Sequence, residues 1–528
     1  MITGKNYIGN NLSAVGSEIF KTFDPQQNQP NAWEFYEATH DEIDQAVQLA
    51  HEAFQQYCFF SGIEKAQFLR TIALEIEALG DVLLSTYCKE SGLPQGRAIG
   101  ERGRTIAQLN AFATLLEEGS WVDATIDTAQ PDRQPSPKVD LRKMLFPLGP
   151  IAVFGSSNFP FAFSTAGGDT ASALAAGCPV IVKSHPMHAG TSELVSSAIT
   201  IAAQKTGMPN GVFSNLNSKG IMVGQKLVIH PLIKGVGFTG SIKGGTALYK
   251  LANERDEPIP VFAEMGSINP VIVFSSALKK EKEAWATSYA NSMMLGAGQF
   301  CTNPGLILGI KSEDLDRFME VLGKALEKLE PSCMLHPDIH TNFENGKRTL
   351  SEQADVSIVA EYRGDTNRNY AKQKVLKIDG ANFLSNTRLH QEVFGPFSIV
   401  VECESIRELK QIIQKLDGQL TGTILGSENE ISEHSQIVNA LQNKVGRIIF
   451  NGVPTGVEVC PSMQHGGPFP ASTDSRFTSV GTSAIKRWVR PVSYQNWPNN
   501  ALPDELKDEN PLRIMRLVNT IHTNASIL

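Results

Sequence analysis

From Gly149 onward the chain alternates short runs of β-branched residues with helical segments, each bounded by glycine or proline. The runs fall at 150–154, 179–183, 212–213, 234–238 and 260–264, with helical patterns across 165–176, 191–206 and 245–253. Alternation of this kind pairs its backbone in register only as parallel strands joined by helical crossovers. It therefore predicts an α/β fold with a parallel, doubly wound sheet. A second alternating set runs from 270–274 through 447–450, which predicts a second α/β domain with Cys301 near its start.

A chain of 528 residues is too long for one core and calls for two or three domains. Residues 39–118 read as a helical layer, with Ile43, Ala46, Val47, Ala50, Ala53 and Phe54 at three- and four-residue steps. The polar stretch 122–140 carries three prolines and reads as a projecting arm. The tail is expected to end in a helix over 510–522. The net charge of −8, with no basic run, argues against a nucleic-acid partner. No apolar run approaches the roughly 20 residues that span a bilayer, and the polar start lacks a signal-peptide core, so a cytoplasmic, non-membrane protein is expected. Seven scattered cysteines, at 58, 88, 178, 301, 333, 403 and 460, suggest free thiols rather than a disulfide framework or a metal site.

Several residues could carry chemistry. Cys301 lies in a glycine-bounded turn, 296–305, after a helix expected over 282–295. Exposure and nearby helix-end amides there would favour its thiolate, although a lone cysteine is commonly just a small buried apolar residue. Glu264 closes an apolar run before Met265-Gly266 and so sits at a strand's C-terminal end, where α/β sheets bind ligands. A thiol and a carboxylate together can trap a carbonyl covalently and hydrolyse the adduct. Gly240, Ser241 and Gly245 form a strand-to-helix turn that offers N–H groups to a phosphate. Lys183 ends a strand and could face a ribose or phosphate, or simply solvent. Asn158 could donate to an oxyanion or form a turn, and Glu392 with Phe394 sits beside a Gly-Pro turn or an ordinary loop.

Together, in this order and spacing, these elements resemble the aldehyde dehydrogenase superfamily from about residue 20 to 500. The resemblance implies a Rossmann-like cofactor domain (1–121 and 148–266), a catalytic thiol domain (267–484), and an oligomerisation flap with the C-terminal tail (122–147 and 485–528). Cys301 would be the nucleophile, Glu264 the general base, and Asn158 with the Cys301 amide the oxyanion hole. Lys183, Gly240, Ser241 and Gly245 would hold the adenosine and pyrophosphate, and Glu392 and Phe394 the nicotinamide riboside. A homodimer or homotetramer would follow.

Two departures refine this. Where many NAD-specific members carry a glutamate, three residues after the lysine, this chain has Pro186. That removes a carboxylate that would repel a 2′-phosphate, and Lys183, Ser184 and His185 could bind one, so NADP is the expected cofactor with NAD also usable. The segment 465–481 resembles the branch of 2,5-dioxopentanoate dehydrogenases and bacterial NADP-dependent fatty aldehyde dehydrogenases. The expected reaction is oxidation of 2,5-dioxopentanoate to 2-oxoglutarate through a cysteine thioester, with Arg102 and Arg104 as candidate holders of the substrate carboxylate. A long-chain fatty aldehyde, a CoA-acylating reaction and a non-catalytic cofactor-binding protein are the alternatives.

Overall fold

The computed structural model describes residues 2–527. Two seven-stranded sheets organise it. The first contains β1 (Asn6–Ile8), β2 (Asn11–Ser13), β3 (Ile151–Phe154), β4 (Val180–Lys183), β5 (Phe213–Leu216), β6 (Gly235–Thr239) and β7 (Val261–Glu264), in the order β7-β6-β3-β4-β5-β1-β2. Strands β3 to β7 are parallel, as the crossover helices between them require. The order reverses between β3 and β6, and the crevice at such a switch point is where doubly wound sheets take ligands. Strand β3 is wholly buried, which explains why it reads as an apolar run without alternation, whereas β5, equally buried, carries the polar Ser214 and Asn215.

The antiparallel edge pair β1–β2 was not expected. At three residues each these strands carry no readable period, and a buried Asn6, whose side chain accepts from the Asn217 backbone N–H at 2.8 Å, fixes them instead.

The second sheet holds β8 (Pro270–Val273), β9 (Leu306–Ile310), β10 (Ser357–Glu361), β11 (Lys374–Asp379), β12 (Phe397–Cys403), β13 (Gln419–Leu425) and β14 (Val445–Phe450), in the order β10-β11-β12-β9-β8-β13-β14. All neighbours are parallel except β10 against β11. Only residues 265–269 separate β7 of the first sheet from β8 of the second. Glu264, the last residue of β7, therefore lies at the seam.

The helical layer forms four helices, His40–Tyr57, Gly62–Ala78, Gly80–Ser91 and Gln95–Glu118. The first two open with capping boxes, Thr39 with Glu42 and Ser61 with Glu64, which satisfy otherwise orphaned N–H groups. The fourth matters for function. Its buried Glu101 accepts the backbone N–H groups of Phe161 and Ala162 at 2.8 and 3.0 Å and the Tyr87 hydroxyl at 2.6 Å. This locks the helix to the loop after β3.

The arm expected at 122–140 contributes Thr125–Asp127 to a separate five-stranded sheet with Leu141–Pro147, Val489–Gln495, Arg516–Val518 and Ile521–Thr523. The tail is a correction: 510–522 is not a helix but ends in a hairpin. Asn519 and Thr520 take positive φ values of 46° and 74° at its turn, as do Asn510 and Arg513 upstream. Four left-handed residues preclude a helix, whatever the apolar spacing.

Candidate active site

Helix Lys282–Met294 ends in a turn whose residues Gly296, Ala297 and Gly298 all have φ between 55° and 67°. Gly298 cannot be replaced there, because a Cβ would lie 2.4 Å from the Gly395 carbonyl oxygen. The turn delivers Cys301 to the loop entering β9. Asn269, buried and itself left-handed at φ 49°, donates its amide to the carbonyls of Cys301 and Asn303, both at 2.9 Å. Its side-chain oxygen accepts from Thr421 on β13 at 2.9 Å. The segment that carries Glu264 thus also clamps the Cys301 loop.

Glu264 and His465 are buried at the seam. His465 Nε2 lies 2.9 Å from a Glu264 oxygen and 3.3 Å from Cys301 Sγ. The Ser479 hydroxyl donates to the other Glu264 oxygen. His465 is held by its backbone, which donates to the Thr478 hydroxyl at 2.9 Å and accepts from Ser479 N–H at 2.8 Å. One reactive atom from each of Glu264, Cys301 and His465 falls within a common 4.8 Å.

Burial, then the Glu264 charge, push the Cys301 thiol well above its ordinary 9.0, with Arg104 opposing. Burial alone would raise Glu264, but the His465 charge and hydrogen bonds from His465, Ser479 and Cys301 leave it below 4.5. The resting pair is accordingly a neutral thiol beside a carboxylate.

Asn158 is buried and donates to the Gln299 carbonyl at 3.0 Å, two residues from Cys301. Its neighbours build an aromatic wall: Phe159 meets Phe163 and Phe300 edge-on at 5.1 and 5.3 Å. Phe163 lies 5.9 Å from the His465 ring. Arg104 stacks on Phe163 at 5.0 Å, and Arg97 on Phe159 and Phe300 at 4.4 and 4.6 Å. Of the two expected arginines only Arg104 reaches this wall. Arg102 lies about 200° round the helix from it, and among the described residues Arg102 makes no ion pair or aromatic contact.

The expected cofactor residues fall at the C-terminal ends of β4 and β6 and against the Cys301 turn. Ser241 caps helix Ile242–Asn253, accepting from Gly244 N–H at 3.2 Å, and its turn is exposed. A Cβ on Gly245 would fill the space 2.5 Å from Met265 sulfur, and one on Gly240 would meet the Phe238 ring at 2.7 Å. Open N–H groups over a floor that admits no side chain fit a pyrophosphate. Lys183, lowered by burial to about 8, donates to the Ser218 carbonyl at 2.8 Å, and His185 accepts from Met187 N–H at 3.3 Å. Ser184 does not join them: it is fully buried and its hydroxyl donates inward to Asn217 at 3.0 Å. Glu392 and Phe394 line one cavity with Gly298 and Phe300. Burial raises the Glu392 carboxyl to about 7.

His465, Ser479 and Asn269 were missed as site residues by the sequence reading. His465 opens a glycine- and proline-rich stretch, His465-Gly-Gly-Pro-Phe-Pro, and Asn269 directly precedes Pro270, but neither carries a spacing that names a partner.

A doubly wound sheet joined at its seam to a half-buried thiol flanked by an imidazole and a carboxylate has the makings of an enzyme that works through covalent catalysis. The chain belongs to the aldehyde dehydrogenase family, whose profile matches residues 13–477, and it is an oxidoreductase. It is 46% identical over 517 residues to alpha-ketoglutaric semialdehyde dehydrogenase 2 of Azospirillum brasilense, covering 98% of both chains. Alpha-ketoglutaric semialdehyde dehydrogenase of Acinetobacter baylyi is likewise 46% identical over 521 residues, covering 98% of this chain and 99% of that one. Among solved structures, methylmalonate-semialdehyde dehydrogenase from Oceanimonas doudoroffii superposes with a TM-score of 0.81 at 17% identity, over 94% of this chain and 99% of that one. Betaine aldehyde dehydrogenase from Staphylococcus aureus, solved with NAD+, gives 0.81 at 19% identity, over 94% and 95%.

Proposed function

We propose that the enzyme oxidises 2,5-dioxopentanoate to 2-oxoglutarate, using NADP at least as well as NAD. The observation that carries the chemistry is the convergence of Cys301, His465 and Glu264 at the seam between the two sheets. The names of the relatives at 46% identity support the substrate. So does Arg104, a cation above the aromatic wall with no acid paired to it.

In this account the His465 Nε2–H, which faces both the sulfur and Glu264, supports the Cys301 thiolate as its proton leaves to solvent, a loss the raised thiol cannot make unaided at neutral pH. The sulfur then adds to the aldehyde carbon. The Cys301 backbone N–H and the second N–H of the Asn158 amide receive the oxyanion. Lys183, Gly240, Ser241, Gly245, Glu392 and Phe394 would hold the dinucleotide, which would supply the hydride acceptor for the oxidation. Glu264, steadied by Ser479, next takes a proton from water, whose oxygen displaces sulfur from the thioester. The products are the carboxylate, reduced cofactor and two protons, with the thiol restored.

Pro186 in place of a carboxylate supports use of NADP, with Lys183 and His185 left to meet a 2′-phosphate. We place the enzyme in the cytoplasm as a homodimer or homotetramer joined through the flap. The exposed Ile448 and Phe450 on edge strand β14 support such an assembly, and no helix is long and apolar enough to cross a membrane among the described residues.

The test is a steady-state screen of 2,5-dioxopentanoate, long-chain aldehydes and uncharged short aldehydes against both cofactors, with and without CoA. The account expects highest kcat/KM for 2,5-dioxopentanoate, no dependence on CoA, and no turnover in Cys301→Ala. Preference for a long-chain aldehyde would contradict the substrate, and a CoA requirement would contradict hydrolysis by Glu264.

A further inference from the structure

Of the three most buried arginines, Arg516 is capped by the backbone carbonyls of Glu505, Lys507, Asp508 and Ala525, and the other two are paired with carboxylates. Arg142 pairs with Asp140 and Asp508 at 2.9 and 2.8 Å, and Arg487 with Asp169 at 2.8 Å. Two further guanidiniums, which share electrostatics with Cys301, have neither a carboxylate nor so full a set of carbonyls. Arg104 has Nε and Nη2 buried without a hydrogen-bond partner, and Arg447, on β14, has Nε likewise. Among the described residues neither enters an ion pair. The acid nearest to Arg104 in sequence, Glu101, is already committed to Phe161, Ala162, Tyr87 and Arg97.

The two arginines approach the same chamber from different domains. Arg104 rests on Phe159 and Phe163. Arg447 reaches Met463 sulfur at 3.7 Å, and Met463 packs with Val457 and Val459 against the cluster of Phe159, Phe163 and Phe300. Two Arg447 hydrogen bonds, to the carbonyls of Pro454 and Gly456 at 3.0 Å each, fix its head and leave Nε free. Burial pulls Arg447 below the usual arginine range, and the opposing charge it feels is that of the Cys301 sulfur. Burying a cation without its counter-ion is costly, so the missing anion is best supplied by a ligand.

We infer that Arg447 and Arg104 together grip the far carboxylate of an ω-oxo acid while its aldehyde faces Cys301, making Arg447 a specificity-determining residue. The inference rests on the proposal that the substrate is an acid semialdehyde. Guanidiniums from two sides suit a planar carboxylate with its adjacent keto oxygen, which presents acceptors along two edges.

The experiment measures kcat/KM for 2,5-dioxopentanoate and for pentanal in wild type, Arg447→Met and Arg447→Lys. It also follows the thermal midpoint with 2-oxoglutarate as the probe ligand. The expected result is a fall of roughly 100-fold in the acid-to-pentanal ratio for Arg447→Met, in line with loss of a buried charge partner. Arg447→Lys should recover part of the ratio, and the stabilisation by 2-oxoglutarate seen in wild type should vanish in Arg447→Met. If wild type prefers the acid but Arg447→Met loses both substrates alike, Arg447 only ties down the 452–463 loop and the inference is overturned. A wild type that turns over pentanal and ignores the acid overturns the substrate proposal along with it.

Discussion

His465 Nε2 lies 3.3 Å from the Cys301 sulfur and 2.9 Å from a Glu264 oxygen, so its N–H faces both. The contact answers a difficulty set by burial, which holds the thiol well above 9.0. Replacing His465 by Gln should slow acylation of Cys301 by roughly 10–10³-fold, as the thiolate loses a neighbouring N–H and charge, with much of the loss recovered as pH rises. Rapid-mixing measurement of the first turnover across pH checks this. A first-turnover rate that matches wild type at neutral pH would rule His465 out as the support of the thiolate.

Glu264 acts on the same thiol in the opposite sense. After burial, its negative charge is the largest influence raising the Cys301 thiol. Glu264→Gln should therefore lower the thiol's pKa and quicken alkylation of Cys301 by iodoacetamide near neutral pH, even as turnover falls. Slower alkylation in Glu264→Gln would mean that the carboxylate serves as a base for the thiol.

The seam that joins these residues was partly legible in the sequence. The alternation of apolar runs placed both sheets, the end of one run placed Glu264, and a glycine-bounded turn after a helix placed Cys301, because most strands buried on both faces are apolar along their length. His465 and Ser479 were not legible as partners. Their proximity to Glu264 comes from a long excursion after β14, and local periodicity says nothing of where such a chain returns. The tail failed for the opposite reason: apolar spacing suggested a helix, and left-handed residues at 510, 513, 519 and 520 override spacing. Arg102 and Arg104 could not be told apart without knowing which face of their helix Glu101 pins inward.

Asn269 offers a test of the loop clamp. Asn269→Ala removes the donor to the Cys301 and Asn303 carbonyls and the acceptor for Thr421. With three buried partners orphaned, and a left-handed φ that alanine tolerates poorly, stability should drop by about 2–4 kcal/mol. Urea unfolding gives the value. Wild-type stability together with wild-type kcat would show that the clamp is dispensable.

Glu392 should leave a signature in the pH dependence of stability. Its folded-state carboxyl, raised by burial from 4.5 to about 7, disfavours ionisation. The stability it contributes is complete below pH 4.5 and is lost as pH rises through 7, by up to about 3 kcal/mol. Glu392→Gln, which cannot ionise, should thus gain on wild type between pH 5 and pH 8 in urea midpoints. A difference that does not change with pH would contradict the raised carboxyl.

Pro186 carries the cofactor reading. Pro186→Glu places a carboxylate where a 2′-phosphate would lie, and like charges there should cut the NADP-to-NAD ratio of kcat/KM by roughly 10-fold or more. An unchanged ratio would remove the proline as the reason for NADP use.

The most direct measurement of the central claim is the intact mass of Glu264→Gln after one turnover of 2,5-dioxopentanoate with NADP. The account predicts reduced cofactor stoichiometric with enzyme and a single 2-oxoglutaryl group, mapped to Cys301 and slow to hydrolyse. Reduced cofactor released at the wild-type steady rate with no acyl group on Cys301 would contradict it.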